Sequence, residues 1–180
     1  YQLAIKLAEH KRRLSALSLT DSLTGLLNHG AWKDLLLVKF QTCQQQQQQA
    51  VIALIDIDHF KTINDRHGHG IGDDVLRALA QRMRDTLPAG GIRGRLGGDE
   101  FVVALAVPPD QALAHAEQLR AAVQSLEFPD QPGLDISISV GLATPPPGGN
   151  LRSWLEAADA ALYRAKHGGR NRTDTLQPRE

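Results

Sequence analysis

Apolar residues recur along this chain at two periods, and the switches between the periods mark out its elements. Leu3, Leu7, Leu14 and Leu17 fall at helical spacing with Lys6, Lys11, Arg12 and Arg13 between them, which predicts a helix over residues 1–19. Its apolar stripe is thin and short for an independent coiled coil. Asp21 offers a helix cap ahead of a periodic segment that includes Leu35, Leu36, Val38 and Phe40. Gln44–Gln49 is a polyglutamine run, read as a solvated helix end or loop. Val51–Asp58 is a β-branched apolar run ending in carboxylates and predicts a buried central strand. After the glycines of Gly68–Gly72, a helix is predicted through Val75, Leu76, Leu79, Met83 and Leu87, stopped by Pro88. Ile92–Leu96 and Phe101–Val107 flank Gly97-Gly98 and predict a hairpin, because paired glycines suit turns that need positive φ. A helix over about 111–126 follows, then an alternating strand on Ile136, Ile138, Val140 and Leu142. A last helix from Leu151 to His167 is stopped by Gly168-Gly169.

The order helix, strand, helix, hairpin, helix, strand, helix predicts an α/β (α+β) layer fold, with helices covering a mainly antiparallel central sheet. Three segments are expected: a helical stalk over 1–19, one domain over 20–175, and a tail over 176–180. The chain opens at Tyr1 in mid-pattern and is read as a piece of something longer, whose missing N-terminal part is a candidate for a sensory or membrane-bound region. Charge adds only exclusions. Lys+Arg and Asp+Glu are both 20, so neither a nucleic-acid coat nor a polybasic membrane anchor is expected. No apolar run approaches the roughly 18 residues of a membrane span. The one cysteine, Cys43, rules out an internal disulfide framework and fits a reducing, cytoplasmic setting.

Two acidic clusters carry candidate chemistry. Asp56 and Asp58 end the buried strand two residues apart, hence on one side of it. Asp99 and Glu100 lie at the tip of the Gly-Gly hairpin. If the hairpin pairs beside that strand, up to four carboxylates converge at one sheet edge, where repulsion calls for a cation and hard oxygen ligands select Mg²⁺ or Mn²⁺. Taken singly, each cluster also reads as an acidic turn or a helix cap. His67 and His69 lack further zinc-like partners, the glycines at 68, 70 and 72 lack a phosphate-loop Lys-Ser/Thr, and Trp32 and Trp154 read as packing residues.

Together the clusters sit in a longer pattern. Arg95-Leu-Gly-Gly-Asp-Glu-Phe101 is the full GGDEF signature. Asp21-Ser-Leu-Thr-Gly-Leu-Leu-Asn28, Asp56-Ile-Asp-His-Phe-Lys-Thr-Ile-Asn-Asp65, Gly68-His-Gly-Ile-Gly-Asp73, Ala158-Asp-Ala-Ala-Leu-Tyr-Arg-Ala-Lys166 and Gly169-Arg-Asn171 follow that family in order and spacing. Residues 20–173 thus resemble a GGDEF-family diguanylate cyclase, a bacterial domain of nucleotidyl-cyclase, polymerase-palm-like fold. The resemblance implies condensation of two GTP into cyclic di-GMP, by attack of each 3′-hydroxyl on the other nucleotide's α-phosphate in a two-fold homodimer. It implies two Mg²⁺ or Mn²⁺ per site, held by Asp56, the carbonyl of Ile57, Asp99 and Glu100. Asp99, with Glu100 second, is the expected proton acceptor, and Lys61 the stabiliser of charge on phosphorus. Lys166 and Arg170 are expected on the β- and γ-phosphates. Phe60, Asn64 and Asp73 are expected at the substrate, because a carboxylate accepts both donors of the guanine edge and adenine lacks that pair.

Local alternatives stand beside these roles: a solvated helix-end cation for Lys166, an N-cap for Asp73 and a turn residue for Asn64. The pattern also departs from the family. Pro88, Ala89, Gly90 and Gly91 replace the R-x-x-D of the inhibitory product site. No such site is expected there, and feedback inhibition is expected to be weak. Leu27, His29 and Gly30 stand where proline and two arginines are frequent. The alternative functions are a catalytically silent GGDEF module that binds GTP or cyclic di-GMP and signals to a partner, and a cyclase making a cyclic mononucleotide.

Overall fold

The computed structural model describes residues 2–176, save the side chains of 8, 11–17 and 176. Its elements are α1 (Gln2–Leu17), α2 (His29–Gln46), β1 (Val51–Ile57), α3 (Phe60–His67), α4 (His69–Thr86), β2 (Ile92–Gly97), β3 (Glu100–Leu105), α5 (Pro109–Gln124), β4 (Ile138–Ala143), α6 (Leu151–His167) and β5 (Arg172–Leu176). The five strands run in the order β2-β3-β1-β4-β5. All neighbours are antiparallel except β4 and β5. The expected α/β layer fold with a mainly antiparallel sheet is therefore present. Among the described residues no helix is long and apolar enough to cross a membrane.

β1 is central because nothing along it tolerates water: all seven residues are buried. Alternate residues serve two separate cores, as the period-two geometry of a strand requires. Val51, Ala53, Ile55 and Ile57 face α3, α4 and α5, whereas Ile52 and Leu54 face α2 and α6. Asp56 continues the second set, and so opens toward α6. That helix lies very close to the sheet. A Cβ on Gly141 of β4 would stand 2.2 Å from Leu162 N, so glycine is required there. Trp154, in the first turn of α6, is fully buried, donates Nε1–H to Ala143 O at 2.8 Å and packs on Phe40. Trp32 is buried against Gly94. Both tryptophans are packing residues, as expected.

Some boundaries differ from the expectation for physical reasons. Asp21 does not cap α2. Its carboxylate takes Thr24 N–H at 2.9 Å in a turn that Gly25, at φ +71°, ends at once. Asn28 caps α2 instead, accepting from Ala31 N at 3.0 Å. Helix α3 has no counterpart in the sequence pattern, because its eight residues bury only Ile63 and show no period. Strand β5 is polar over most of its length and is a strand only because β4 supplies a parallel partner. The β2–β3 hairpin has the expected positive-φ glycines, Gly97 and Gly98. Its two-residue loop is Gly98-Asp99, one residue later than expected. The side chains of Leu14 and Leu17, half of the expected stripe, lie outside the described residues, while Leu3 and Leu7 are exposed.

Candidate active site

The pairing register brings the two acidic clusters together. Asp56 lies opposite Glu100 of β3 on one side and Ser139 of β4 on the other. The tip of the hairpin closes over the end of β1, with Ile57 N–H donating to Asp99 O at 3.3 Å. Asp56 is 7% exposed; Asp99 is half-buried and Glu100 exposed. One Asp56 oxygen contacts the ammonium of Lys166, on the last turn of α6, and the other, Oδ1, is buried with no protein partner. Burial, and then the neighbouring Asp99, push the Asp56 carboxyl up to about 7, against the opposing pull of Lys166. Burial also disfavours the charged Lys166, but Asp56, Glu100 and Asp99 outweigh it and hold the ammonium above its ordinary range. Three carboxylates thus share one lysine at the end of the sheet's central strands.

A divalent cation fits this arrangement. An orphaned carboxylate oxygen, three hard oxygen donors and an excess of negative charge are what such an ion satisfies. The set is not closed in advance, for among the described residues no three His, Cys, Asp or Glu stand in ready ligand geometry. Asp58 does not join it, contrary to the expected four-carboxylate cluster. Its Oδ1 accepts from the Ser139 hydroxyl at 2.6 Å, and its Oδ2 accepts from the Ser137 hydroxyl at 2.6 Å and from Asn171 N–H at 2.9 Å. Asp58 lies on the expected side of the chain; the partners waiting there come from β4, the residues just before it, and the turn after α6.

The residues expected at the base lie together at the α3–α4 corner. Asn64 is on helix α3 rather than in a turn, and its Oδ1 is buried without a partner. A Cβ on Gly72 would stand 1.8 Å from that oxygen and 3.3 Å from Phe60 Cζ, so Gly72 makes room for both. Asp73, the next residue, is half-buried inside α4 and does not cap it, since the cap position is Gly68. Lys61 is exposed in the first turn of α3, where no side chain caps the helix. Arg170 is exposed in the turn following α6, at φ +61°, with its N–H on Ala165 O at 3.0 Å. His67 bonds to Gln131 at 2.9 Å through Nδ1.

Two arginines gain roles that sequence reasoning missed. Arg95 donates to Gly98 O at 2.7 Å and to Asp21 at 3.2 Å, fastening the hairpin tip to the turn before α2. Both partners lie in the Asp21–Asn28 and Arg95–Phe101 motifs, which was the available signal. Arg93 turns its guanidinium onto the carbonyls of Leu87 at 2.9 Å, Met83 at 3.3 Å and Pro88. The window from Pro88 to Gly91 is therefore fastened by the protein's own contacts at both ends. Pro88 is half-buried and supplies a carbonyl to Arg93. Ala89 and Gly90 form an exposed turn between α4 and β2, with Gly90 at φ +86°. Gly91 packs so closely that a Cβ there would meet Leu105 at 2.7 Å. None of the four carries a charged side chain, so this turn offers no arginine–aspartate pair to a product.

Known proteins resemble this chain over most of its length. The family described as diguanylate cyclase, GGDEF domain, matches residues 18–172. The probable diguanylate cyclase DgcC of Escherichia coli K12 is 42% identical over 176 residues, covering 97% of this chain and 47% of the relative. The response regulator PleD of Caulobacter vibrioides is 42% identical over 165 residues, covering 86% of this chain and 35% of the relative. This chain thus spans about half or less of these relatives. Among solved structures, the GGDEF domain of DgcB from Caulobacter crescentus in complex with c-di-GMP superposes with a TM-score of 0.84 at 34% identity, covering 88% of this chain and 95% of that one.

Proposed function

The chain belongs to the GGDEF diguanylate cyclase family, and on that premise we propose that it condenses two GTP into cyclic di-GMP with release of two pyrophosphates. The observation that carries this reading is the buried Asp56 carboxylate, half unpartnered, on one rim with Asp99, Glu100 and Lys166. A silent binding module has no use for a desolvated charge that costs stability.

Asp56, Asp99, Glu100 and the Ile57 carbonyl would hold two Mg²⁺ or Mn²⁺. When bound, such ions neutralise triphosphate charge near the α-phosphate. The protein's own groups do the rest. Asn64 and Asp73 orient the guanine, with Phe60 beside them. Lys61 meets charge developing on the phosphorus. Lys166 leaves Asp56 for the β- and γ-phosphates, and Arg170 joins it, so that the departing pyrophosphate is paired. In each half-reaction the 3′-oxygen of one GTP bonds to the α-phosphorus of the other, the bond from that phosphorus to the pyrophosphate breaks, and Asp99 takes the hydroxyl proton, with Glu100 as second candidate.

One domain presents one such rim, so the symmetric product calls for two copies face to face about a two-fold axis. The exposed Leu3 and Leu7 of α1 suit a contact that raises effective concentration. The test is incubation with GTP and Mg²⁺, with products separated and the specific rate followed against protein concentration. Cyclic di-GMP, made at a specific rate that rises with concentration to a plateau, is the expected result. GTP binding without product would establish the silent module instead. A concentration-independent rate from a protein shown to be monomeric would overturn the two-site mechanism.

A further inference from the structure

Four polar or charged residues are buried among the described ones, Thr24, Asp56, Asp58 and Ser139, and two of these bond to each other. Asp58 is 6% exposed and uses both oxygens, on Ser139, Ser137 and the backbone N–H of Asn171. Asn171 is held from the other side as well. Arg120 of α5, paired with Glu117 at 2.9 Å, donates Nη1 to Asn171 Oδ1 at 2.9 Å. The segment so gripped is unusual. Arg170 and Asn171 are consecutive non-glycine residues at φ +61° and +45°, a left-handed region that side chains seldom occupy. This step reverses the chain between α6 and β5 and leaves the Arg170 side chain exposed at the end of α6 that carries Lys166, the partner of Asp56.

Resting on the reading of Arg170 as a phosphate-binding residue, we propose that Asp58 is a positioning residue and not a metal ligand. It pins the left-handed Arg170-Asn171 turn through the Asn171 N–H, with Arg120 as the second grip, and so presents the Arg170 guanidinium to the nucleotide's terminal phosphates. A carboxylate has about four acceptor sites, and three are already used here. An arginine on a turn held at both main chain and side chain loses less freedom on binding than one on a free turn, which is where the affinity comes from.

The probe is a GTP analogue with a methylene between the α- and β-phosphates, titrated with Mg²⁺ into the protein by calorimetry. Asp58→Ala is expected to weaken binding about tenfold, equivalent to ~1.4 kcal/mol. Asp58→Asn is expected to stay within about threefold of wild type, because its amide oxygen still accepts from Asn171 while its NH₂ donates to Ser139. In an Arg170→Ala background Asp58→Ala is expected to cost nothing further. The Asn171 amide resonance should move in Asp58→Ala, and affinity for Mn²⁺ alone should not. If Asp58→Ala does not fold, Arg120→Met carries the test, with binding about threefold weaker and a shifted Asn171 amide; no change in either overturns the proposal. So does additivity of Asp58→Ala with Arg170→Ala, or an Asp58→Asn variant as weak as Asp58→Ala with lost Mn²⁺ affinity. In both of those cases wild type still binds the analogue and the cyclase reading survives. Wild-type protein that takes up no analogue overturns both.

Discussion

Asp56→Asn should make the metal-free protein more stable and the enzyme inactive, a combination that follows from the position of one carboxylate. The carboxyl is pushed up to about 7 from its ordinary 3.8, chiefly by burial. Holding it charged in the fold therefore costs about three pH units at ~1.36 kcal/mol each, roughly 4 kcal/mol. Asparagine keeps the shape without the charge. It leaves Lys166 without a charged partner, but the pull of Lys166 is already contained in the shift and that side chain, 31% exposed, reaches water, so a gain of up to about 4 kcal/mol is expected at about pH 8. The sign is specific. Between about pH 4 and 7 the folded wild type keeps a proton that the unfolded chain has lost, so the contribution of this carboxyl to stability is fullest below pH 4 and falls as pH rises to 7. The advantage of Asp56→Asn should therefore grow across that window and level off above it. Urea denaturation in chelator, at steps from about pH 4 to 8.5, measures it. Excess Mg²⁺ should narrow the gap, because a bound ion stabilises the wild type by about 2.7 kcal/mol at a hundredfold excess over Kd and binds the variant less well. An Asp56→Asn protein less stable than wild type in chelator at about pH 8, or one with full turnover, would refute the reasoning.

Gly72→Ala drives a methyl to 1.8 Å from Asn64 Oδ1, the end of a flexible side chain, so the fold should survive while Asn64 swings away. GTP affinity is expected to fall by about 1–3 kcal/mol with poorer discrimination against ATP, and equal affinity for GTP would leave Asn64 no role at the base. Gly141→Ala meets the backbone of α6 at 2.2 and 2.4 Å, which has nowhere to go, so it should cost about 3 kcal/mol in urea denaturation; a loss under about 1 kcal/mol would mean that α6 is less tightly seated than described. Cyclic di-GMP should inhibit weakly and only in competition with GTP, since Ala89 and Gly90 offer no charge and Arg93 is committed to carbonyls around them. Initial rates at several GTP and product concentrations test this, and strong non-competitive inhibition would point to another binding surface.

Much of the site was legible because its residues sit in contiguous motifs at the ends of strongly patterned elements. The run Val51–Ile57 has no reading but a buried strand, and the glycines before Asp99 have few readings but a tight hairpin, so the meeting of Asp56 with Asp99 and Glu100 needed only antiparallel pairing. The corner holding Asn64 was less legible. Helix α3 is too short to show a period, and the closeness of Gly72 to Asn64 depends on how two helices cross.

The sequence by itself determined the layer order, the central strand, the hairpin, and which residue types lie at the rim, because hydrophobic period and glycine placement act within a few residues of one another. Tertiary structure decided the division of labour among identical side chains. Asp56 and Asp58 are two residues apart at the end of one strand, yet one keeps a bare oxygen beside a lysine contact and the other is held on both oxygens by two serines and a backbone N–H. That difference comes from β4 and from a turn 113 residues away. A carboxylate's chemistry is set by the donors that surround it, and those donors are brought together only when the sheet closes.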